Sequence, residues 1–219
     1  MARLRDLGER ELIEAYIAKH IAKPYPGEHL HYPEDARDIL PAGPRMLVSV
    51  DGYALDKAKL PWRSYSDVAW CAVTGAVSDH VAKSGIPRDL LVSLGLPGEA
   101  GVELLEQVVS GLVDAVKAYN LRLLGGDLNE SPTPWIDVFL VSYTSAKKPP
   151  KRCCGMPGDY VIVTGVYGAM GYAVVEGFEK ACEQEWVVEA TRRPRAYIET
   201  ALVISEYYKS VHASMDVSD

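Results

Sequence analysis

Residues 121–127 read LRLLGGD, a short apolar run that ends in two glycines and a carboxylate. The run Leu121–Leu124 predicts a buried β-strand. Two glycines after a strand let the backbone adopt conformations closed to other residues and approach a ligand closely. An ordinary turn explains the tripeptide equally well, so the residues alone leave both interpretations open.

The segments around this strand alternate between helix and strand patterns. Glu99–Tyr119 carries apolar residues on one helical face, and Trp135–Thr144 has the pattern of a strand. Further helices are predicted at Glu9–Ile21, at Ser66–Ser84 with Ser66 as N-cap and Gly85 as its stop, at Met170–Ala181 and at Arg195–Lys209. Further strands are predicted at Met46–Val50, Leu90–Leu96, Asp159–Thr164 and Val211–Val217. The order has no regular βαβ repeat, so we predict an α+β fold with a mixed sheet.

The stretch Ser145–Gly158 is rich in proline and lysine and is the best candidate for a linker. We therefore predict a first domain at residues 1–150 and the start of a second α/β domain at residues 151–219. The part that follows the linker has only about 60 residues, which is marginal for independent folding. We expect the sequence to be a fragment of a longer protein that stops within its second domain.

The composition, with 48% hydrophobic and 24% charged residues, is that of a globular protein. With 30 acidic and 23 basic residues the net charge is −7, which argues against a nucleic-acid partner. The acidic excess fits either ordinary solubility or divalent metals held between carboxylates and phosphates. No apolar stretch is long enough to span a bilayer, and no leader pattern opens the chain. The four cysteines lack zinc spacing and suit a reducing compartment, so we expect a cytoplasmic protein.

Several acidic residues fall at predicted strand ends or on a predicted helix. They are Asp51, Asp79, Asp127, Asp216 and Asp219, with the pair Glu34 and Asp35 in the loop before the first strand. Taken singly, each is explained as a cap of a turn or helix. Asp79, however, lies in an apolar helical stretch, where a carboxylate is costly without a partner. A convergent group of carboxylates would repel unless cations held it together, and magnesium is the natural cation for oxygen ligands.

Glycines 165, 168 and 171 lie between a predicted strand and a predicted helix, downstream of Arg152. Such a loop can place backbone N–H groups near a phosphate, although tight packing of the strand on the helix explains the glycines as well. The pattern is neither a P-loop nor a Rossmann fingerprint.

These motifs, taken in order, resemble the thiamine-monophosphate kinase family, within the superfamily of aminoimidazole ribonucleotide synthetase. They are Glu34-Asp35, Ser49-Val50-Asp51, Val77-Ser78-Asp79, Leu94–Pro97, Leu124–Asp127, Arg152–Asp159, Val163–Gly165, Arg193-Pro194 and Ser214–Asp219. The resemblance implies magnesium ligands at Asp35, Ser49, Asp51, Asp79, Asp127, Asp216 and Asp219. It implies ATP contacts at Gly126, Asp127, Arg152 and Ser218. It also implies a homodimer in which two N-terminal sheets close into a barrel, with the nucleotide near that interface.

The implied reaction is magnesium-dependent phosphoryl transfer from ATP to thiamine monophosphate, which gives thiamine diphosphate. A phosphate monoester is already largely an anion at neutral pH, so no general base is expected among the catalytic residues. The family's substrate histidine after Asp51 is absent here, and we expect Lys57 or Lys59 to bind the acceptor phosphate instead. Two alternatives stay open: another ATP-dependent enzyme of the superfamily with a different small-molecule acceptor, and a nucleotide-binding paralogue without catalysis.

Overall fold

The computed structural model describes residues 3–217. Ser218 and Asp219, which were predicted to contact ATP and magnesium, lie outside the described residues. The strands are β1 (Arg45–Ala54), β2 (Ile86–Leu96), β3 (Arg122–Glu130) and β4 (Trp135–Thr144). The helices are α1 (Glu9–Leu12), α2 (Leu55–Ala58), α3 (Tyr65–Ala82), α4 (Val102–Ala118), α5 (Ala169–Glu176), α6 (Phe178–Cys182), α7 (Glu185–Arg192) and α8 (Ile198–Glu206). The predicted first helix continues past α1 as a π-helical turn and a 3-10 turn that ends at His20.

The four strands form one mixed sheet in the order β1-β4-β2-β3. The pair β2 and β3 is parallel, whereas the other two pairs are antiparallel. Helices α3 and α4 pack on one face, which we call the inner face, and bury there an apolar core from β2, β3 and β4, with Tyr53 of β1 packed against it. The predicted α+β fold with a mixed sheet is therefore confirmed.

The Gly-Gly-Asp tripeptide lies inside strand β3, so the prediction that this strand ends at Leu124 is wrong. A bulge between Leu90 and Leu91 shifts the register just before the two glycines. Gly125 has a φ of 145°, a conformation that favours glycine. A Cβ at Gly126 would lie 1.8 Å from the carbonyl oxygen of Val92. Close contact between parallel strands therefore requires this glycine, whatever else it binds.

The N-cap of helix α3 lies two residues before the predicted one. Its N-cap is Ser64, not Ser66: the Ser64 hydroxyl accepts a hydrogen bond from the Asp67 N–H, and the Asp67 carboxylate accepts one from the Ser64 N–H. This reciprocal pair satisfies two helix-end donors. The helix ends at Ala82, and Ser84 takes a positive φ of 61° before Gly85.

The predictions for the residues after β4 are less accurate than those for the residues before it. Asp159–Thr164 and Val211–Val217 are not strands, and Val161 is 91% exposed. A strand requires a neighbour for its backbone hydrogen bonds, and none of residues 3–217 pairs with either segment. The predicted helix Met170–Ala181 is broken at Gly177, whose φ is 91°. The division into domains at residue 150 stays a prediction.

Residues 169–192 form a small second core around Trp62. The indole N–H of Trp62 donates to the Thr191 hydroxyl at 2.9 Å. Next to it, the Arg193 guanidinium donates to Asp67 at 2.6 Å and to Asp114 at 2.9 Å. These contacts hold the C-terminal part of the chain against α3 and α4. None of the helices among residues 3–217 is long and apolar enough to cross a bilayer.

A buried ion-pair group fastens the loop before β1 to the sheet. Arg122 of β3 donates to Glu28 at 2.9 Å and to Asp89 at 2.6 Å, and its guanidinium lies 3.9 Å from the ring centre of Tyr25. The hydrogen bonds from Arg122 hold the pKa of Glu28 down at about 2. Because the pKa of Glu28 is lower in the folded protein than in the unfolded chain, its ionised form stabilises the fold at pH values above the unfolded-state pKa. This contribution is lost as the pH falls towards 2.

The Gly126 contact yields a stability prediction. Gly126→Ala must push β2 and β3 apart, and we expect it to lower the free energy of unfolding by at least about 2 kcal/mol. Gly171→Ala in α5 is the matched control, because no atom lies within 4 Å of its new Cβ. Urea unfolding followed by circular dichroism measures both. Equal stability of Gly126→Ala and the unaltered protein would contradict the assigned strand contact.

Candidate functional site

Asp51 lies on the inner face of the sheet, where α3 crosses β1. A Cβ at Gly75 of α3 would lie 2.9 Å from Asp51 Oδ2, so this glycine makes room for the carboxylate. Asp51 was predicted at a strand end, but β1 continues three residues further to Ala54. The carboxylate is therefore held by a regular strand and not by a flexible turn.

Asp79 of α3 faces two other carboxylates. Burial first, and then the negative charges of Asp216 and Asp51, raise the pKa of Asp79 above its ordinary value. The Arg152 guanidinium acts in the opposite direction. The structure thus brings together four residues that the sequence analysis singled out, namely Asp51, Asp79, Asp216 and Arg152. We call them the acidic group.

Asp216 and Arg152 belong to two irregular segments that are tied to each other and to α3. The Ser214 N–H donates to the Lys151 carbonyl at 2.9 Å. The ammonium group of Lys83 in turn donates to the Ser214 carbonyl. Sequence reasoning missed Lys83, although its position four residues after Asp79 places both side chains on one face of a helix. Burial and the nearby Arg152 charge lower the pKa of Lys83.

Ser49 lies two residues before Asp51 on the same face of β1. Its hydroxyl lies 2.8 Å from His80 Nε2, and His80 Nδ1 lies 2.6 Å from the Ser142 hydroxyl of β4. Burial lowers the pKa of His80 to about 4, so the ring is neutral at physiological pH. No sequence signal pointed to His80 beyond its place next to Asp79.

Asp127 lies on the other side of the sheet. The register places Gly52, Asp137, Ser93 and Asp127 in one row across the four strands, on the outer face. Asn129 donates to the Asp127 carboxylate at 2.7 Å. Since three strand spacings separate β1 from β3, Asp51 and Asp127 are roughly 14 Å apart across the sheet. Within one chain the structure therefore places Asp127 apart from Asp51, and the predicted ligand set that joins them stays a prediction.

The loop that carries Asp35 lies on the side of β3. Tyr32 lines a cavity together with Gly126 and Asp127, and Asp35 is exposed three residues further along the loop. Within the described residues the candidate ligands thus form two sets. One is the acidic group with Ser49, and the other is Asp127 with Gly126 and the nearby loop.

Among residues 3–217, no three His, Cys, Asp or Glu side chains are close enough together to hold a metal ion. The acidic group nevertheless has the chemistry of a magnesium site, because its donors are carboxylate oxygens. Burial, and after it the charges of Asp216 and Asp51, raise the pKa of Asp79, and Arg152 opposes them. A hard cation would relieve this repulsion, so the residues fit the ion.

Residues 34–144 match the sequence profile of the N-terminal domain of AIR synthase related proteins. The thiamine-monophosphate kinase of Aquifex aeolicus is 30% identical over 227 residues, which cover 99% of this chain and 68% of that protein. The chain belongs to this family. The thiamine-monophosphate kinase of Synechococcus elongatus is 28% identical over 191 residues, covering 82% of this chain.

A solved structure described as AaThiL complexed with AMPPCP and TMP has the same fold. It superposes with a TM-score of 0.65 at 27% identity and covers 99% of this chain and 68% of that one. The family resemblance of the sequence motifs is therefore confirmed. The chain spans only 58% of the length of the Synechococcus relative.

The raised pKa of Asp79 yields a prediction about stability and pH. The pKa of Asp79 is higher in the folded protein than in the unfolded chain, so its protonated form favours folding. The stability of the fold therefore decreases as the pH rises through the folded-state pKa. Asp79→Asn removes the charge, so we expect a higher Tm than the unaltered protein at neutral pH in EDTA. The gain should shrink as the pH falls through the raised pKa of Asp79 and vanish once the carboxyl is protonated.

Thermal melts across this pH range test the prediction, with Asp114→Asn as control. Asp114 pairs with Arg193 in a salt bridge, so its loss should lower the Tm at neutral pH. A fall in Tm for Asp79→Asn would mean that Asp79 is a structural carboxylate whose charge the fold requires.

Proposed function

We propose that this chain acts in magnesium-dependent phosphoryl transfer from ATP to thiamine monophosphate, which yields thiamine diphosphate. One observation carries the proposal: a fold that aligns with 99% of this chain is known with AMPPCP and TMP bound. The acidic group supports it, because it lacks the His–Asp or Cys–His arrangement of nucleophilic catalysis and gathers carboxylates instead.

Magnesium, when bound, neutralises phosphate charge and holds the reacting groups in line. Asp51, Asp79 and Asp216 would hold it, with Ser49 assisting, and Asp35, Asp127 and Asp219 would complete the ligands. Gly126, Asp127 and Ser218 are proposed to contact ATP. This ligand set rests on the family resemblance together with the charge that accumulates at Asp79.

Arg152 supplies the positive charge that carboxylates cannot. It lies near Asp79 and Lys83, and its guanidinium suits the planar, bidentate recognition of phosphate oxygens. The acceptor phosphate needs no proton removed, so the residues act by alignment and charge compensation.

We also propose a homodimer that is joined through the outer face of the sheet. Helices cover only the inner face, and the outer face exposes Met46, Val48, Val50 and Phe139, by 43% to 65%. A contiguous apolar surface of this kind is typical of an interface. A two-fold partner placed there would also face the row that contains Asp127.

The metal proposal predicts that nucleotide stabilises the protein only with magnesium. Without the metal, the carboxylates of the site repel the phosphates of the nucleotide. A bound ligand at 100 times its Kd adds about 2.7 kcal/mol to the free energy of unfolding. The test is a thermal shift with AMPPCP in magnesium or EDTA, followed by an assay of thiamine diphosphate formation. A full shift in EDTA would refute the metal bridge, and absence of product with magnesium would refute the acceptor.

The acceptor site yields a second prediction. Lys57 and Lys59 are both exposed, but the ammonium group of Lys59 lies 4.5 Å from the ring centre of Tyr65. We therefore expect Lys57→Ala to raise KM for thiamine monophosphate several-fold, because about 1–2 kcal/mol of binding free energy is lost. Lys59→Ala serves as the matched control and should change KM less. Unchanged KM in both variants would assign both lysines to the surface.

The dimer yields a third prediction. Val48→Asp places a charge in the proposed interface and should shift sedimentation towards the monomer. Val174→Asp is the matched control, because Val174 is exposed to the same degree, 67% against 65% for Val48, but lies on α5. A monomer for the unaltered protein at micromolar concentration would overturn the proposed dimer.

A further inference from the structure

Ser49, His80 and Ser142 form a hydrogen-bonded chain that runs from the core to the acidic group. Ser49 Oγ lies 2.8 Å from His80 Nε2, and Ser142 Oγ lies 2.6 Å from His80 Nδ1. His80 is 3% exposed and Ser142 is fully buried, whereas Ser49 is only half-buried and lies on the face that carries Asp51. The hydrogen-bonded chain therefore has a buried end at Ser142 and a partly exposed end at Ser49.

A neutral imidazole has one N–H donor and one acceptor nitrogen. One of the two serine hydroxyls must therefore donate to the ring, and the other must accept from it. His80 is 3% exposed, and the described residues place no carboxylate beside its ring that would hold a second proton. The direction of the whole chain thus depends on which nitrogen carries the proton.

The buried end decides this direction. Within the described part of the chain, His80 is the one hydrogen-bond partner of the Ser142 hydroxyl. If Nδ1 carried the proton, the Ser142 hydroxyl would accept from it, and its own proton would be buried without an acceptor, which is unfavourable. Ser142 therefore donates to Nδ1, and Nε2–H donates to Ser49.

We propose that His80 is a positioning residue that turns the Ser49 proton out of the core, so that Ser49 donates to a phosphate oxygen of the bound nucleotide. The hydroxyl of Ser49 accepts from His80 and keeps its own proton for a partner on the open side. Donation by the ring polarises that hydroxyl and makes it a better donor. The inference rests on the proposed function and adds to it a direct phosphate contact from β1.

Long-range proton–nitrogen NMR of histidine-labelled protein tests the direction of the chain. We expect His80 to show a protonated, pyrrole-type Nε2 and an unprotonated, pyridine-type Nδ1, with the signals assigned by their loss in His80→Gln. A protonated Nδ1 would overturn the proposal outright. This measurement needs no ligand, so it decides the ring orientation even if the unaltered protein binds no nucleotide, a result that would refute the proposed function instead.

Nucleotide binding tests the consequence. We expect His80→Phe to weaken AMPPCP binding in magnesium about tenfold, since a hydrogen bond to a charged group is lost. His80→Gln keeps an N–H near the position of Nε2 and should restore most of the affinity. Thr74→Val is the control, because it removes another side-chain hydrogen bond of α3, to Tyr119 at 3.0 Å, away from the site. Equal affinity of His80→Phe and Thr74→Val, at similar Tm, would overturn the proposal.

Discussion

The close approach of helix α3 to strand β1 is the constraint on which the rest of the structure depends. Gly75 lies at this contact, where an added Cβ would come within 2.9 Å of Asp51 Oδ2. The helix is buried along most of its length and is therefore fixed in position by the core. Asp79, His80 and Lys83 project from this helix, so the same packing that stabilises the domain sets the positions of the site.

Charge is distributed unevenly over the molecule. Buried guanidinium groups compensate the acidic residues far from the site, as Arg122 does for Glu28 and Asp89. At Asp79, by contrast, two carboxylates face a third, and one arginine opposes them. Uncompensated charge of this kind is typical of a site that awaits a charged ligand.

The sequence predicted those parts of the fold that depend on local pattern. The buried strands and the two long helices follow from periodicity, and the N-cap predicted at Ser66 is Ser64, two residues away. The strands predicted at 159–164 and 211–217 failed because strand formation depends on a partner that local sequence does not specify. The candidate ligands were found, but their separation onto two faces depends on strand order and register. Sequence periodicity contains no information about that order.

The contact between Gly126 and Val92 has a consequence for how such motifs evolve. Two parallel strands approach so closely there that no side chain fits, independent of any bound molecule. A descendant of this protein that lost its ligand would still need glycine at this position to keep its sheet. Retention of this glycine in a diverged sequence thus shows that the backbone geometry has been kept, and not that the ligand has. Loss of the carboxylates from α3 and β1 would be the earlier sign of a changed function.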